Sequence, residues 1–335
     1  MSYFSPVLVI GTRGSLLALT QTKLIQAEIH RIAPEVETRI EIIKTTADKD
    51  AVTSLRASGG AGVFVKELEQ ALLRGEIDLA VHSMKDVPNA IADGLCIAAV
   101  PEREDANDAL IFNYELRITN YELPNAEIPA GVSSQLSTLN SQLSTLKKGA
   151  RVGTGSFRRQ AQLLALRPDL RIMDIRGNVD TRIRKMESGE YDAVVLAVAG
   201  LRRLGLQNRI SYKLPFDEML PAPGQGALAM EVRADDAFTN EIAGKLNHPH
   251  TALAVAAERD FLERLGGGCN VPIAVYACVK RNVLEMVALA ASPDGKRVVR
   301  DKAAGDPRNS VEIIAALAGR ILDAGGREIL REFRR

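Results

Sequence analysis

The sequence predicts two α/β domains in series followed by a smaller α+β domain. Short apolar runs alternate with amphipathic segments of helical period through the first two thirds of the chain, the pattern of strands buried between helices in mainly parallel sheets. The alternation breaks off once, at a polar repetitive stretch, and then restarts. At 335 residues the chain is also too long for a single core. Two similar units with a cleft between them are therefore expected.

In the first unit, Val7 to Ile10 is a short apolar run of strand type. Ser15 to Ile32 reads as a helix whose Ser hydroxyl can accept a free amide of the first turn. Ile40 to Lys44 is a second strand. Val63 to Arg74 is helical, with Val63, Leu68, Ala71 and Leu72 on one side, and Ile77 to Val81 is a buried strand. Cys96, in Leu95-Cys96-Ile97-Ala98-Ala99-Val100, reads as a small hydrophobe in a strand.

The interruption carries two seven-residue repeats, Asn113-Tyr114-Glu115-Leu116 with Asn120-Tyr121-Glu122-Leu123, and Ser134 to Leu139 with Ser141 to Leu146. Pro124 and Pro129 exclude a coiled coil there. Residues 114–146 read as a polar surface insertion without a catalytic role. The second unit then follows: strand Arg151 to Gly153, helix Phe157 to Arg167, strand Leu170 to Ile175, helix Val179 to Ser188, strand Ala193 to Ala199. Ala227 to Val232 is a further strand. A helix Thr251 to Leu265, alternating segments such as Val283 to Ala291, and a terminal helix Ser310 to Ala324 suggest the small α+β domain; Cys278 again sits in an apolar run.

Composition removes several classes of function. Hydrophobic residues at 46% against 25% charged ones match a soluble globular protein. A net charge of +1 leaves no broad basic field for nucleic acid or a membrane surface, so any anion site must be built by local clustering. Three cysteines without framework spacing argue for a reducing compartment. Four scattered histidines, none closely paired with a cysteine, argue against a metal site. The N-terminus lacks a secretory pattern, and the longest apolar run, Ala193 to Leu201, is too short to cross a membrane. The expectation is a cytoplasmic protein.

Six segments carry chemistry. In Gly153-Thr154-Gly155-Ser156-Phe157-Arg158-Arg159-Gln160, Ser156 caps a helix whose first turn holds two arginines. Cations there oppose the helix dipole by about 0.3–1 kcal/mol each, a conflict that a bound anion resolves; a solvated pair is the alternative. In Asp174-Ile175-Arg176-Gly177-Asn178-Val179-Asp180-Thr181-Arg182, Arg176 lies at a strand end and Asn178 is a candidate cap. Arg182 falls at the edge of the stripe marked by Val179, Ile183 and Met186, whereas Arg184 and Lys185 point away. Arg202-Arg203 and Gly11-Thr12-Arg13-Gly14-Ser15 mark two further basic strand ends. Ligands of open α/β sheets bind beyond the strand C-termini, so these arginines suit a ligand with several negative charges. His82-Ser83-Met84-Lys85-Asp86-Val87-Pro88 places a carboxylate among them. Surrounded by cations it should stay ionised, fit to stabilise developing positive charge or to shuttle a proton; a structural Lys–Asp turn is the alternative. His82 reads as a packed strand-end residue. Finally, Gly266-Gly267-Gly268-Cys269-Asn270-Val271-Pro272 presents a thiol on a glycine-rich loop.

Taken in order, these segments resemble the porphobilinogen deaminase (hydroxymethylbilane synthase) family. The matches are Thr12-Arg13 with Ser15, Phe64 to Glu69, His82 to Pro88, Arg103-Glu104-Asp105, Phe157 to Gln160, Arg176-Gly177-Asn178, Leu196 to Leu201, Pro223 to Gly226 and Gly267-Gly268-Cys269. They run over nearly the whole chain apart from the repeat stretch. The resemblance implies a transferase of tetrapyrrole (haem) biosynthesis that joins four porphobilinogen molecules head to tail, releasing ammonia, to give hydroxymethylbilane. It implies a dipyrromethane cofactor attached covalently through Cys269 and contacted by Ser83, Lys85, Asp86, Ser156, Arg158 and Arg159, with Asp86 the catalytic carboxylate. Arg13, Ser15, Arg176, Arg182 and Arg203 are implied as substrate-binding residues for acetate and propionate side chains. The implied fold has two α/β domains like type II periplasmic binding proteins, residues 1–105 with 227–244 and residues 106–226. An α+β domain, 245–335, bears the cofactor. A monomer is implied, with porphobilinogen and the growing pyrrole chain as partners.

Several positions depart from the family pattern, among them Asn270 and Ala274, modest changes around the Cys269 loop. Ala61 stands where a lysine is common, and Gly155 replaces a frequent serine beside Ser156. A cytosolic anion-binding module of the periplasmic-binding-protein type is the competing reading; it accounts for the arginines but not for Cys269 or for Asp86 among cations.

Overall fold

The computed structural model describes residues 7–44, 65–112, 142–266 and 271–333. In chain order the strands are β1 (Val7–Thr12), β2 (Glu37–Ile42), β3 (Leu79–Ser83), β4 (Leu95–Ala99), β5 (Asp108–Phe112), β6 (Arg151–Gly153), β7 (Arg171–Met173), β8 (Ala193–Ala197), β9 (Tyr212–Leu214), β10 (Leu228–Arg233), β11 (Ile273–Lys280), β12 (Val283–Ala291) and β13 (Val298–Gly305). The chain divides into two compact units, Met1–Asp105 with Gly224–Ala256, and Ala106–Pro223 with Ala257–Arg335.

The first unit is built on a sheet of order β2-β1-β3-β10-β4. Strands β1, β2 and β3 are parallel, and β10 enters antiparallel between β3 and β4. Helix Leu16–Ile32 starts at Ser15, whose hydroxyl accepts the Ala18 amide at 3.2 Å. Its buried residues Gln21, Thr22, Ile25 and Ile29 recur at helical spacing. Ile25 and Ile29 join Leu8, Ile10, Leu79, Val81, Met230 and Val232 in one core.

The second unit repeats that plan. Its sheet runs β7-β6-β8-β5-β9, with β6, β7 and β8 parallel and β5 antiparallel to both β8 and β9. Both sheets thus place the second strand outermost, then the first, then the third, then a reversed strand arriving from elsewhere in the chain. A third sheet, β11-β12-β13, is wholly antiparallel. Helix Ser310–Ile321 packs on it, burying Ile314, Leu317, Ala318 and Ile321. The β12–β13 turn packs on helix Phe157–Leu166: Gln160 donates to Pro293 O at 3.1 Å, and a Cβ at Gly295 would meet Ala165 N at 2.4 Å. The two α/β sheets and a C-terminal α+β portion are the fold class the sequence predicts.

Several boundaries differ from the sequence reading. The strand expected over Ile40 to Lys44 is Glu37–Ile42. As the sheet edge it needs little apolar character, so its hydrophobic signal is displaced. The apolar run Ala193 to Ala199 is strand only to Ala197, and Val198–Arg203 is helical; a buried run without polar positions does not reveal its period. The terminal helix stops at Ile321, passes through a wider turn, Leu322–Gly326, and resumes over Arg327–Phe333. Most of the repeat stretch, 113–141, lies outside the described residues. Its end is not surface: Leu143 and Leu146 are buried in the core of the second unit. Buried Arg167 donates to Leu143 O at 2.6 Å and pairs with Asp169 at 2.7 Å, tying that turn down. Leu143 and Leu146 serve the core, although the polar residues around them suggest solvent.

Two carboxylates of this unit contribute to its acid response. Burial pushes Asp169 up, but Arg167 and the Gly149 amide outweigh it and hold the carboxyl at about 2. Burial likewise opposes, and Arg151 and Lys147 override it, to hold Asp192 at about 2. An ordinary aspartate titrates near ~3.9, so the unfolded chain binds these protons first. The stabilisation is complete above about pH 4 and is lost as pH falls toward about 2. Asp192→Asn should therefore flatten the fall of the urea midpoint between pH 5 and pH 2; an unchanged acid slope would refute the assignment.

Candidate functional site

In the first unit the candidate residues gather where parallel strands end. Strand β1 delivers Thr12, fully buried, and then half-buried Arg13 and Ser15. Strand β3 delivers Ser83, whose hydroxyl lies 2.9 Å from Gln21 Nε2, and then a single 3₁₀ turn, Met84–Asp86. Met84 is buried while Lys85 and Asp86 are half-exposed, so the turn is anchored by an apolar side chain and presents two charged ones. The loop before β10 holds it from the other side. Met84 N donates to Ala227 O at 3.0 Å. Gly224, at φ +70°, passes so close that a Cβ would stand 2.7 Å from Met84 Cγ and 3.2 Å from Lys85 N. Only glycine combines that conformation with that approach. His82, as the sequence suggested, is packed, with Nε2 2.9 Å from Glu231 Oε2 and both side chains buried.

In the second unit the site forms at the ends of β6, β7 and β8. Ser156 caps helix Phe157–Leu166, its hydroxyl accepting Arg159 N at 3.4 Å. Arg158 and Arg159 are only 5% and 7% exposed, which excludes a solvated pair. Both reach Asp108, a fully buried residue at the start of β5: Arg158 Nη1 to Oδ2 at 2.8 Å and Arg159 Nη2 to Oδ1 at 2.6 Å. Arg159 also donates to Val195 O at 3.0 Å, and Arg158 to Leu220 O. Burial works against the Asp108 carboxylate, yet the two guanidiniums hold it well below the usual range. Burial pushes Arg158 down in turn, with Asp108 opposing. The chain itself thus supplies an anion for the arginines at this helix start.

The other arginines of this unit are more open. Arg176, half-buried beyond β7, donates through Nε to Asp174 Oδ2 at 3.0 Å. Arg182 is half-buried, as its place on the helix implied, and its Nε donates to Gly177 O at 2.7 Å. Asn178 occupies the cap position of helix Val179–Glu187 without a side-chain cap hydrogen bond. Arg203 is displaced from its expected strand end: it closes the helix Val198–Arg203, six residues long, beyond β8.

The candidates therefore form two sets: Arg13, Ser15, Ser83, Lys85 and Asp86 in one unit, and Ser156, Arg158, Arg159, Arg176, Arg182 and Arg203 in the other. Cys269 and Ala61 lie outside the described residues. The sequence reading missed Asp108, Asp174, Gln21 and Glu231. Asp108 opens an apolar run, Ala109-Leu110-Ile111-Phe112, a weak signal because Glu104 and Asp105 stand just before it. Among the described residues no group of three His, Cys, Asp or Glu side chains is placed to hold a metal ion, and no helix is long and apolar enough to cross a membrane.

Comparison with known proteins gives a consistent result over the whole chain. A family model described as porphobilinogen deaminase, dipyromethane cofactor binding domain, matches residues 8–241. A second, porphobilinogen deaminase, C-terminal domain, matches residues 252–323. The chain is 46% identical to the porphobilinogen deaminase of Trichlorobacter lovleyi, over 96% of this chain and 95% of that one. It is 44% identical to that of Thermus thermophilus, over 98% and 99%. Among solved structures, the periplasmic VFT2 domain of Bordetella pertussis BvgS is 15% identical at a TM-score of 0.39, covering 72% of this chain and 87% of that one; nothing is built on so distant a likeness.

The Asp108 cluster has a direct consequence for stability. Removing one partner of a buried ion pair strands the other charge, at a cost of about 3–5 kcal/mol. Asp108→Asn, which keeps the shape but not the charge, should lower unfolding stability by about that amount in urea denaturation followed by circular dichroism. A loss below about 1 kcal/mol would show that the arginines are balanced by something else.

Proposed function

The chain belongs to the porphobilinogen deaminase family, and on that premise we propose which of its residues perform the family's reaction. It is a transferase, a hydroxymethylbilane synthase of tetrapyrrole biosynthesis, with a dipyrromethane cofactor. What supports this most directly is 46% identity across 96% of the chain to a curated porphobilinogen deaminase. In each condensation the C–N bond of the aminomethyl arm breaks, ammonia departs, and a C–C bond forms to the free α-carbon of the terminal pyrrole, which loses its proton.

Asp86 is the catalytic carboxylate. Its turn is fixed by buried Met84 and by the Gly224 approach, so its oxygens are held in place without a cost of ordering at each cycle. From there it accepts hydrogen bonds from the ammonium of the aminomethyl arm, which leaves as ammonia, faces the positive charge that develops on the pyrrole, and takes up the proton the α-carbon loses. Lys85, Ser83, Arg13 and Ser15 lie on the same strand ends and bind carboxylate oxygens; the Ser15 hydroxyl, though it accepts from Ala18 N, keeps its own proton to donate.

Cys269 is the covalent attachment point, and when bound the dipyrromethane supplies the primer from which the chain grows. The donor set fits such a group: guanidinium forks match carboxylates in pairs, and the Nε–H of Arg158 is buried with no hydrogen-bond partner among the described residues. Ser156, Arg158 and Arg159 hold the cofactor's side chains, while Arg176, Arg182 and Arg203 take those of incoming and growing pyrroles. A net charge of +1 and three cysteines without framework spacing support a cytoplasmic protein without nucleic-acid or membrane partners. A monomer accords with this reading.

Intact mass tests the attachment. Wild-type protein should carry an addition equal to two pyrrole units, absent from Cys269→Ser; equal masses would sink the assignment. Asp86→Ala should lower kcat for ammonia release by about 10²–10⁴-fold with the cofactor mass retained. Full activity in that variant would remove Asp86 from the chemistry.

A further inference from the structure

One departure of this chain from the family pattern at the second unit's site is Gly155. A Cβ built there would stand 2.9 Å from Asp174 Oδ1. The space left by the missing side chain is filled by that carboxylate. Its other oxygen, Oδ2, accepts from Arg176 Nε at 3.0 Å. Gly155 is exposed, and the Asp174 and Arg176 side chains are 37% and 28% exposed, so this pair faces solvent, unlike the buried Asp108 cluster.

The backbone around the pair is fixed. Thr154 N donates to Met173 O at 2.9 Å, binding the end of β6 to the end of β7. Tyr191 OH donates to Asp174 O at 2.8 Å. Burial raises the Tyr191 hydroxyl, with Glu190 and Asp174 adding to the rise and Arg182 opposing it, so Asp174 and Arg182 act on one locality. With the main chain held at both ends, the Asp174 side chain can swing without moving the backbone.

We propose that Asp174 is an affinity-setting residue: a built-in competing carboxylate that occupies Arg176 until a pyrrole carboxylate displaces it. The proposal rests on the reading of Arg176 as a substrate-carboxylate ligand. An incoming acetate or propionate gains contact with Arg176 only by exchanging with Asp174, and the displaced carboxylate goes to water. Binding at this arginine is thereby weakened by the free energy of an exposed ion pair, a small quantity. Weak holding suits a site that passes one pyrrole after another, because every carboxylate bound must later be let go. Gly155 sets the device by leaving room for Asp174 beside it.

The test is calorimetric titration of the holoenzyme with a pyrrole that bears acetate and propionate side chains but lacks the aminomethyl arm and so cannot condense. Asp174→Asn, which keeps the shape and removes the charge, should lower Kd by about two- to fivefold, the factor an exposed ion pair supports. Gly155→Ala should tighten binding in the same direction, because its methyl group pushes only the movable end of the Asp174 side chain. The double variant should bind no more tightly than Asp174→Asn alone, since both changes remove one interaction. Arg176→Gln should raise Kd. If Arg176→Gln weakens binding while Asp174→Asn leaves it unchanged or weaker, the competing-carboxylate proposal alone falls. If Arg176→Gln has no effect, both that proposal and the role given to Arg176 are overturned. Additive tightening in the double variant would likewise overturn it.

Discussion

One reversed strand in each parallel sheet organises both candidate sites. Parallel strands deliver all their C-terminal ends to the same edge, and that edge is where open α/β sheets bind ligands. An antiparallel strand brings its beginning to that edge instead. In the first unit β10 pairs Leu228 with Ser83, which sets the Gly224–Ala227 approach against the Met84–Asp86 turn. In the second, β5 pairs Asp108 with Ala197, which sets a carboxylate among the ends of three strands. Each sheet thus receives at that edge a residue that local sequence could not have put there: a glycine that clamps the Met84–Asp86 turn, and an aspartate that neutralises two arginines.

A nearly neutral chain can build concentrated cationic sites because its cations are clustered locally. Two arginines in a first helical turn repel each other and oppose the helix dipole, and burial in low dielectric sharpens both penalties. Asp108 removes the conflict by holding one guanidinium on each oxygen. The helix start can then exist before any ligand arrives. It also retains unused donor capacity, since each guanidinium has five N–H groups and Arg158 Nε has no acceptor among the described residues.

The sequence made the local features legible and left the long-range ones hidden. Ser15 and Ser156 were readable as caps because a cap depends on its next three residues. Arg182 was readable as half-buried because its neighbours fix the helical stripe. Arg203 was misplaced because a wholly apolar run such as Ala193 to Leu201 carries no period with which to divide strand from helix. Leu143 and Leu146 were taken for solvent-facing residues because their polar neighbours dominate any short window. Asp108 and Glu231 escaped altogether: each is identified by a partner, Arg158 or His82, far away in sequence. Cys269 is singled out by its glycines and its family match alone, because it lies outside the described residues.

Asp108 and Asp174 show how burial separates two uses of the same ion pair. Both are aspartates that answer an arginine at a strand end of one sheet. Asp108 is sealed, its guanidiniums buried with it, and exchange with a ligand would require moving charges through low dielectric; it is a permanent counterion. Asp174 is open to water, and its pair with Arg176 costs little to break because both partners can be solvated where they stand. The first fixes the shape of the site, and the second adjusts how firmly the site holds what enters it. Gly155 makes the second use available to Asp174: without a side chain there, the carboxylate lies against the loop with Arg176 in reach, and with one it would be turned outward to solvent.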